Sequence, residues 1–466
     1  MSLGKVVIIG AGPAGMGCAY TLAQAKQPSL VIEQEDSPGG LCRTLSFCGY
    51  LFDIGGHRFL SKSEEINRLW HEIMRDDMLS VKRISRIFYR KKYFNYPLSF
   101  FNTMFNLGLL EGFLCIASYL KHKYFKRGKD NTFEEWVTNR FGKRLYDIFF
   151  KTYTEKVWAM PCHDISADWA KQRIRGLSLR VAIQDALRLN EHTPKTLSDR
   201  FLYPRTGPGE FYQRIKEAAF SLGVRFDFGK TVTSIQHSDN KIISLKTKQA
   251  RKGQEETIEV DHLCSSMPLP VMIQLLEPRP PEPVLSVAQK LSFRDFLVVN
   301  VILDKEFVFP DQWIYIHSPE VKVGRIQNYK NWSPAMVADF KKTSLGLEYF
   351  CNEQNDLWNM NDADLINYAI NELEAIGIVS RRHLINGFVV RCKNAYPVYS
   401  LDYQEHIKII RDYLSKLSNL SSMGRSGLFQ YDNSDHALLT GIYTAKNLLN
   451  ESTCDIWGLN SDSNYL

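Results

Sequence analysis

The stretch Lys5-Val6-Val7-Ile8-Ile9-Gly10-Ala11-Gly12-Pro13-Ala14-Gly15 decides the fold. Its first five residues make an apolar, β-branched run, the pattern of a parallel strand covered on both faces. Glycines follow at once. Met16 to Ala25 then reads as an Ala- and Leu-rich helix, and Ser29-Leu30-Val31-Ile32-Glu33 as a second strand ending in an acid. Together they form one βαβ unit. Gly10 permits the tight turn, Gly12 lets backbone approach a pyrophosphate, and Gly15 lets helix and strand pack closely. Pro13 and Ala14 complete the turn, where helix amides meet the phosphates. Glu33, 23 residues after Gly10, stands where a carboxylate accepts hydrogen bonds from an adenosine ribose.

Which dinucleotide is bound is decided just beyond. Ser37-Pro38-Gly39-Gly40-Leu41-Cys42-Arg43-Thr44 adds two glycines and a cation, suited to wrapping a second stretch of backbone and Arg43 around the same pyrophosphate. Read blandly, Gly39-Gly40 is an ordinary turn. With this pair of motifs the chain resembles the flavoprotein superfamily of amine oxidases, protoporphyrinogen oxidases, phytoene desaturases and UDP-galactopyranose mutases. That resemblance implies FAD as cofactor and an α/β fold, in which a discontinuous Rossmann-like FAD-binding domain carries an inserted helical subdomain and an antiparallel sheet over the flavin. No second fingerprint of this type follows a strand, so a tightly held nicotinamide domain is not expected, and NAD(P)H enters only as an external electron donor.

Phe52-Asp53-Ile54-Gly55-Gly56-His57-Arg58-Phe59 places Gly55 and Gly56 before two basic residues. Residues without Cβ let backbone lie against a large planar ligand. By resemblance to the mutases this segment flanks the flavin, which makes His57 a cofactor-binding and catalytic candidate; the alternative is a surface turn with a solvated histidine. Near the other end, Gly424-Arg425-Ser426-Gly427-Leu428-Phe429-Gln430-Tyr431-Asp432-Asn433-Ser434 is similar to the mutases' carboxy-terminal Gly-Arg segment, with Asn433 where they carry an acid. Asn433 and Ser434 are good N-cap residues for the helix that follows, and its dipole favours electron density at a flavin carbonyl. Arg425 pairs with a phosphate or forms a structural ion pair.

The FAD-binding domain is therefore expected from residues 1–62, 200–265 and 420–466, its middle part alternating apolar and polar around Val232, which joins the cofactor-binding set. Residues 63–199 form the helical substrate subdomain, with helices over Ser63 to Arg75, Leu98 to Tyr119, Thr132 to Tyr153 and Ala167 to Leu189. Residues 266–419 form the antiparallel, substrate-lining sheet. Tyr153-Thr154-Glu155-Lys156-Val157-Trp158 resembles a mutase motif whose tryptophan holds the nucleotide, so Tyr153 and Trp158 are substrate candidates. Arg173 and Arg175 stand for the diphosphate-binding arginine, with the register off by a residue. Trp313 to His317 and Gly324 to Trp332 read as strands, offering Arg325 as a catalytic candidate and Tyr329 and Lys330 as substrate-binding ones.

Composition bounds the rest. With 466 residues, 44% hydrophobic and 23% charged, the chain is globular, large enough for two or three domains, and of no disordered or multi-span class. Lys plus Arg number 58 against 51 Asp plus Glu, a formal +7, too little to call for nucleic acid. Nine scattered cysteines without a C-x-x-C pair read as reduced thiols of a cytoplasmic protein rather than zinc ligands or disulfides. Leu98 to Leu120 has about the length a bilayer helix requires, but Asn102, Asn106 and Glu111 make a domain helix the better reading. The basic loop after it, Lys121, Lys123, Lys126, Arg127 and Lys129, allows peripheral contact with the inner face of a membrane. A homodimer is also allowed. The resemblance implies an enzyme acting on a nucleotide sugar in surface-glycan biosynthesis, through nucleophilic rearrangement at the flavin N5 or a related redox step. The alternatives are an FAD-dependent oxidase or desaturase and a non-enzymatic flavin-binding protein.

Overall fold

The computed structural model describes residues 3–125, 129–173, 199–250 and 253–459. The opening stretch folds as its pattern dictates. Strand β1 (Val6–Ile9) is buried throughout, helix α1 (Pro13–Gln24) follows, and strand β2 (Ser29–Ile32) pairs parallel with β1. Five parallel strands make this sheet, in the order Leu420–Ser422, His262–Ser265, β1, β2, Arg225–Asp227. Strands from the beginning, middle and end of the chain thus lie side by side.

The last helix, Ser434–Leu448, packs on α1 with almost no side chain between. A Cβ on Gly441 would lie 1.9 Å from the Ala14 carbonyl oxygen, and one on Gly17 would lie 2.6 Å from that of Leu438. The glycines of both helices therefore set their separation. A small sheet of Lys230–Ser238, Lys241–Gln249, Glu255–Glu259 and Leu276–Glu277 covers the other face.

A seven-stranded sheet forms the second layer, in the order Leu384–Pro397, Phe293–Leu303, Thr343–Cys351, Arg325–Asn328, Trp313–Ile316, Ser85–Tyr89, Lys92–Asn95. It is antiparallel except where Trp313–Ile316 meets Ser85–Tyr89. Two of its strands come from the segment read as helical, and a third from that segment, Met78–Lys82, pairs with Arg200–Pro204.

Several expected helices are shorter than their periodicity suggests. Ser63 caps Glu64–Met74, its hydroxyl accepting from the Ile66 amide at 3.3 Å. The Leu98 to Tyr119 reading resolves into Phe100–Leu107 and Leu109–Tyr124, broken at Gly108, whose φ of 94° suits only glycine. Thr132 to Tyr153 divides likewise at Gly142 into Phe133–Phe141 and, beyond a π turn, Thr152–Trp158. Ala167–Arg173 is helical, and the remainder of that reading lies outside the described residues. The strand expected to reach Trp332 stops at Asn328, because Asn328 and Asn331 donate their side-chain amides to the Phe309 and Asp311 carbonyls and turn Tyr329–Trp332 into a short helix. All nine cysteines are free thiols. Among the described residues no helix is long and apolar enough to cross a membrane, and no cluster of His, Cys, Asp or Glu could hold a metal.

Candidate functional site

At the carboxyl ends of the parallel strands two glycine turns meet. Gly10 has φ 95°, and its amide donates to the Ile32 carbonyl at 2.8 Å, joining the turn to the end of β2. A Cβ on Gly15 would fall 1.8 Å from the Gly10 oxygen, so helix and turn touch as the fingerprint requires. The Gly39 amide donates to the Ala11 carbonyl at 2.8 Å, and a Cβ on Gly40 would lie 3.2 Å from the Gly12 Cα. Between these turns α1 begins at Pro13, with Gly12 as an N-cap that supplies no side-chain acceptor. Its first amides are left for a ligand oxygen.

Glu33 is buried, and its carboxylate accepts from the Ala11 amide at 2.6 Å and the Glu35 amide at 2.9 Å. Burial raises its pKa, while those two amides pull it back. Arg43 wraps inward: Nε donates to the Gly40 carbonyl at 3.0 Å and Nη1 pairs with Glu35 at 2.5 Å. The guanidinium thus braces the second turn. Val232 lies in the core beside Ile9 and Ile32, just before a bulge in its strand.

A second cluster gathers where Gly55 and Gly56 pass the seven-stranded sheet. A Cβ on Gly55 (φ 89°) would stand 3.6 Å from Glu348 Oε1, and one on Gly56 2.9 Å from the Gln327 amide nitrogen. Glu348 is fully buried; it accepts from Arg325 Nε at 2.5 Å and from Gln327 Nε2 at 2.8 Å. Burial raises the Glu348 pKa, and Arg325 pulls it down. His57, partly buried, sits 3.0 Å from the Ile54 carbonyl through Nε2 and 3.6 Å from Cys42 Sγ through Nδ1. Burial, together with the charges of Arg425 and Arg325, pushes its pKa down to about 4, so the ring is neutral at pH 7. Below it the buried Asp53 carboxylate accepts from Tyr203 and Thr44, and burial pushes its pKa up to about 7.

Aromatic rings crowd this cluster. Tyr396 and Tyr431 stack at 5.6 Å, with the Arg425 guanidinium 5.2 Å and 5.4 Å from their centres. Arg425 donates to the Asp432 and Ala395 carbonyls, so it fixes the loop ahead of the last helix while its charge reaches His57. Asn433 is the exposed N-cap of that helix and adds no side-chain cap hydrogen bond. Ser434 lies beside Cys42 and Tyr212. Gly424, with φ 75°, presses on Ala14. Tyr153 stacks on His317 at 4.8 Å and stands edge-on to Tyr315.

Of the remaining candidates, Tyr329 and Trp158 border this cluster. Tyr329 is in the core, its hydroxyl 2.9 Å from the Asp53 carbonyl and 3.0 Å from Asn300 Oδ1. Lys330 Nζ is held by the Glu306, Phe340 and Lys342 carbonyls. The helical turn that replaced the strand commits Lys330 to those loop carbonyls, while Tyr329 stays within reach of the Arg325 and Glu348 charges. Trp158 is buried against Trp169 and Tyr431, and its indole N–H finds no partner among the described residues. The Arg173 side chain and all of Arg175 lie outside the described residues. Glu348, Tyr396 and Gln327 escaped the sequence reading. The one signal was an acid set in the apolar run Leu345 to Phe350, which a core strand tolerates only with a partner.

The family model for flavin containing amine oxidoreductase matches residues 13–446. The chain belongs to that family. A 1-hydroxycarotenoid 3,4-desaturase from Flavobacterium sp. (strain P99-3) is 24% identical over 312 residues, 59% of this chain, which spans 58% of that relative. An all-trans-retinol 13,14-reductase from Danio rerio is 41% identical over 51 residues, 11% of this chain and 8% of that protein. Among solved structures, reduced UDP-galactopyranose mutase matches with a TM-score of 0.83 at 22% identity, covering 98% of this chain and 96% of that one. Putrescine oxidase bound to putrescine matches at 0.61 and 15%, covering 96% and 99%. The protein is an FAD-dependent enzyme, and its residues fit the cofactor. Opposed turns, where a Cβ at Gly40 would press on the Gly12 Cα, an acid at the end of β2, and two helices without side-chain caps suit a dinucleotide with a polar ring system.

Proposed function

We propose that this flavoenzyme acts on a nucleotide sugar, in the manner of a UDP-galactopyranose mutase, in surface-glycan biosynthesis. One observation carries the reading: two cations gather among tyrosine rings, Arg425 against the stacked Tyr396 and Tyr431 and Arg325 close to Tyr153, Tyr315 and Tyr396. A dianionic diphosphate finds cations there, and a nucleobase or sugar finds flat aromatic walls. Flavin, when bound, supplies either an electron-rich centre for rearranging a sugar ring or an acceptor for hydride.

The chain's own groups supply position and charge. Gly10, Gly12, Gly15, Gly39 and Gly40 bring backbone to the pyrophosphate, and Glu33 receives the ribose. Gly55 and Gly56 admit the ring system, with His57 beside it as a neutral hydrogen-bonding group that stores no proton at pH 7. Arg325, oriented by Glu348, holds substrate oxygen, and Tyr153 packs against it. The helix beginning at Ser434 favours negative charge at its N-terminus.

Oxidation or desaturation is the second reading, favoured by the lining of Phe296, Phe350, Tyr396 and Tyr431 rings and by the likeness to a carotenoid desaturase. Anaerobic, dithionite-reduced protein incubated with UDP-hexoses separates the two. An isomer made by reduced protein alone supports the first reading. Flavin bleaching of oxidised protein by an amine, porphyrinogen or polyene, with no sugar isomer, replaces it with the second.

A further inference from the structure

The helical hairpin Phe100–Leu107 and Leu109–Tyr124 turns large apolar side chains outward: Phe105 and Leu110 are each 76% exposed, Tyr124 73% and Phe113 66%. On the second helix Leu110, Phe113, Ala117, Leu120 and Tyr124 recur three or four residues apart on the solvent side, while Gly112 and Cys115 face the core. A helix apolar toward both core and solvent has an unpartnered face.

Cations frame that face. The turn between strands Ser85–Tyr89 and Lys92–Asn95 exposes Arg90 and Lys91, and Arg90 is near enough to act on the charge of Glu111. Lys92 Nζ donates to the Asn106 carbonyl at 2.7 Å, at the hairpin's corner. Lys121 and Lys123 are exposed in the last turn of the second helix. Glu111 is neutralised by a two-point pair with Arg144, at 2.5 Å and 2.8 Å.

We propose that this face docks on an anionic lipid bilayer, with the hairpin lying in the interface, apolar residues in the acyl boundary and the basic groups among the headgroups. Charge selects this occupant over a second copy of the chain. A two-fold contact would set the same basic frame against itself, and Glu111, the acid on the second helix's outer side, is already paired. The inference is independent of the substrate reading.

Flotation of the FAD-loaded full chain tests it, with vesicles of phosphatidylcholine alone or mixed with phosphatidylglycerol. Binding to the mixed vesicles, weakened by salt, is the expected result. Arg90→Gln with Lys91→Gln lowers the partition coefficient by about 25-fold, roughly fivefold per cation, and Leu110→Ser with Phe113→Ser abolishes binding, the flavin spectrum remaining that of the parent. Parent protein that keeps its flavin yet stays unbound to anionic vesicles overturns the proposal. So does light scattering that finds a dimer which Leu110→Ser with Phe113→Ser converts to monomer.

Discussion

Arg325 and Glu348 form an asymmetric pair. The carboxyl can take up a proton when its partner is lost, and burial already pushes its pKa upward. The guanidinium cannot shed its charge. Glu348→Gln therefore leaves a buried cation uncompensated and lowers unfolding free energy by about 3 kcal/mol or more; Arg325→Met costs less, since Glu348 is then neutral. Urea unfolding of the two variants measures the difference, and equal losses would remove the argument. His57 makes a pH prediction. Its pKa falls from the ordinary 6.5 to about 4 in the folded state, so below pH 6.5 the unfolded chain binds the proton more readily. Stability from this group is complete above pH 6.5 and is lost as pH falls toward 4. His57→Asn should flatten that part of the stability curve, read by thermal melts across the window.

Between elements, the contact of α1 with the last helix rests on backbone. Since a Cβ on Gly441 would fall 1.9 Å from the Ala14 carbonyl oxygen, Gly441→Ala must part the two helices. Overpacking of this kind costs about 1–3 kcal/mol, and here it also shifts Ala14 and Gly424, which line the cofactor turn. The purified variant is expected to carry less FAD, measured as flavin absorbance per protein. Gly40→Ala meets a φ of 55° and the Gly12 Cα at 3.2 Å; an αL alanine alone costs roughly 1 kcal/mol. Its FAD dissociation constant should rise at least tenfold by fluorescence titration, with little change in secondary structure by circular dichroism.

At the scale of the molecule, the parallel sheet draws strands from residues 6–9, 262–265 and 420–422, so cofactor binding and folding of distant segments are coupled. A ligand held only by the folded chain adds about 2.7 kcal/mol at a hundredfold excess over its dissociation constant. Apoprotein made by removing FAD should melt several degrees lower and recover as FAD is titrated back. A melting temperature unmoved by FAD would contradict a cofactor bridging these segments.

The FAD-binding unit was legible because its determinants are local. A βαβ turn needs its glycines at fixed spacing, whatever else the chain does, and the apolar run of β1 declares a covered strand. That local pattern determined a dinucleotide-binding βαβ unit, and with the second glycine motif it carried the resemblance that implied FAD and the family. Tertiary structure alone decided what surrounds His57. Glu348 and Arg325 meet only because neighbouring strands pair in one register, and Tyr396 and Tyr431 stack from segments 35 residues apart. Tyr329 left the strand for the core because side-chain amides of Asn328 and Asn331 found carbonyls in a distant loop. Contacts between segments far apart in sequence carry no fixed spacing, so no periodicity could announce them.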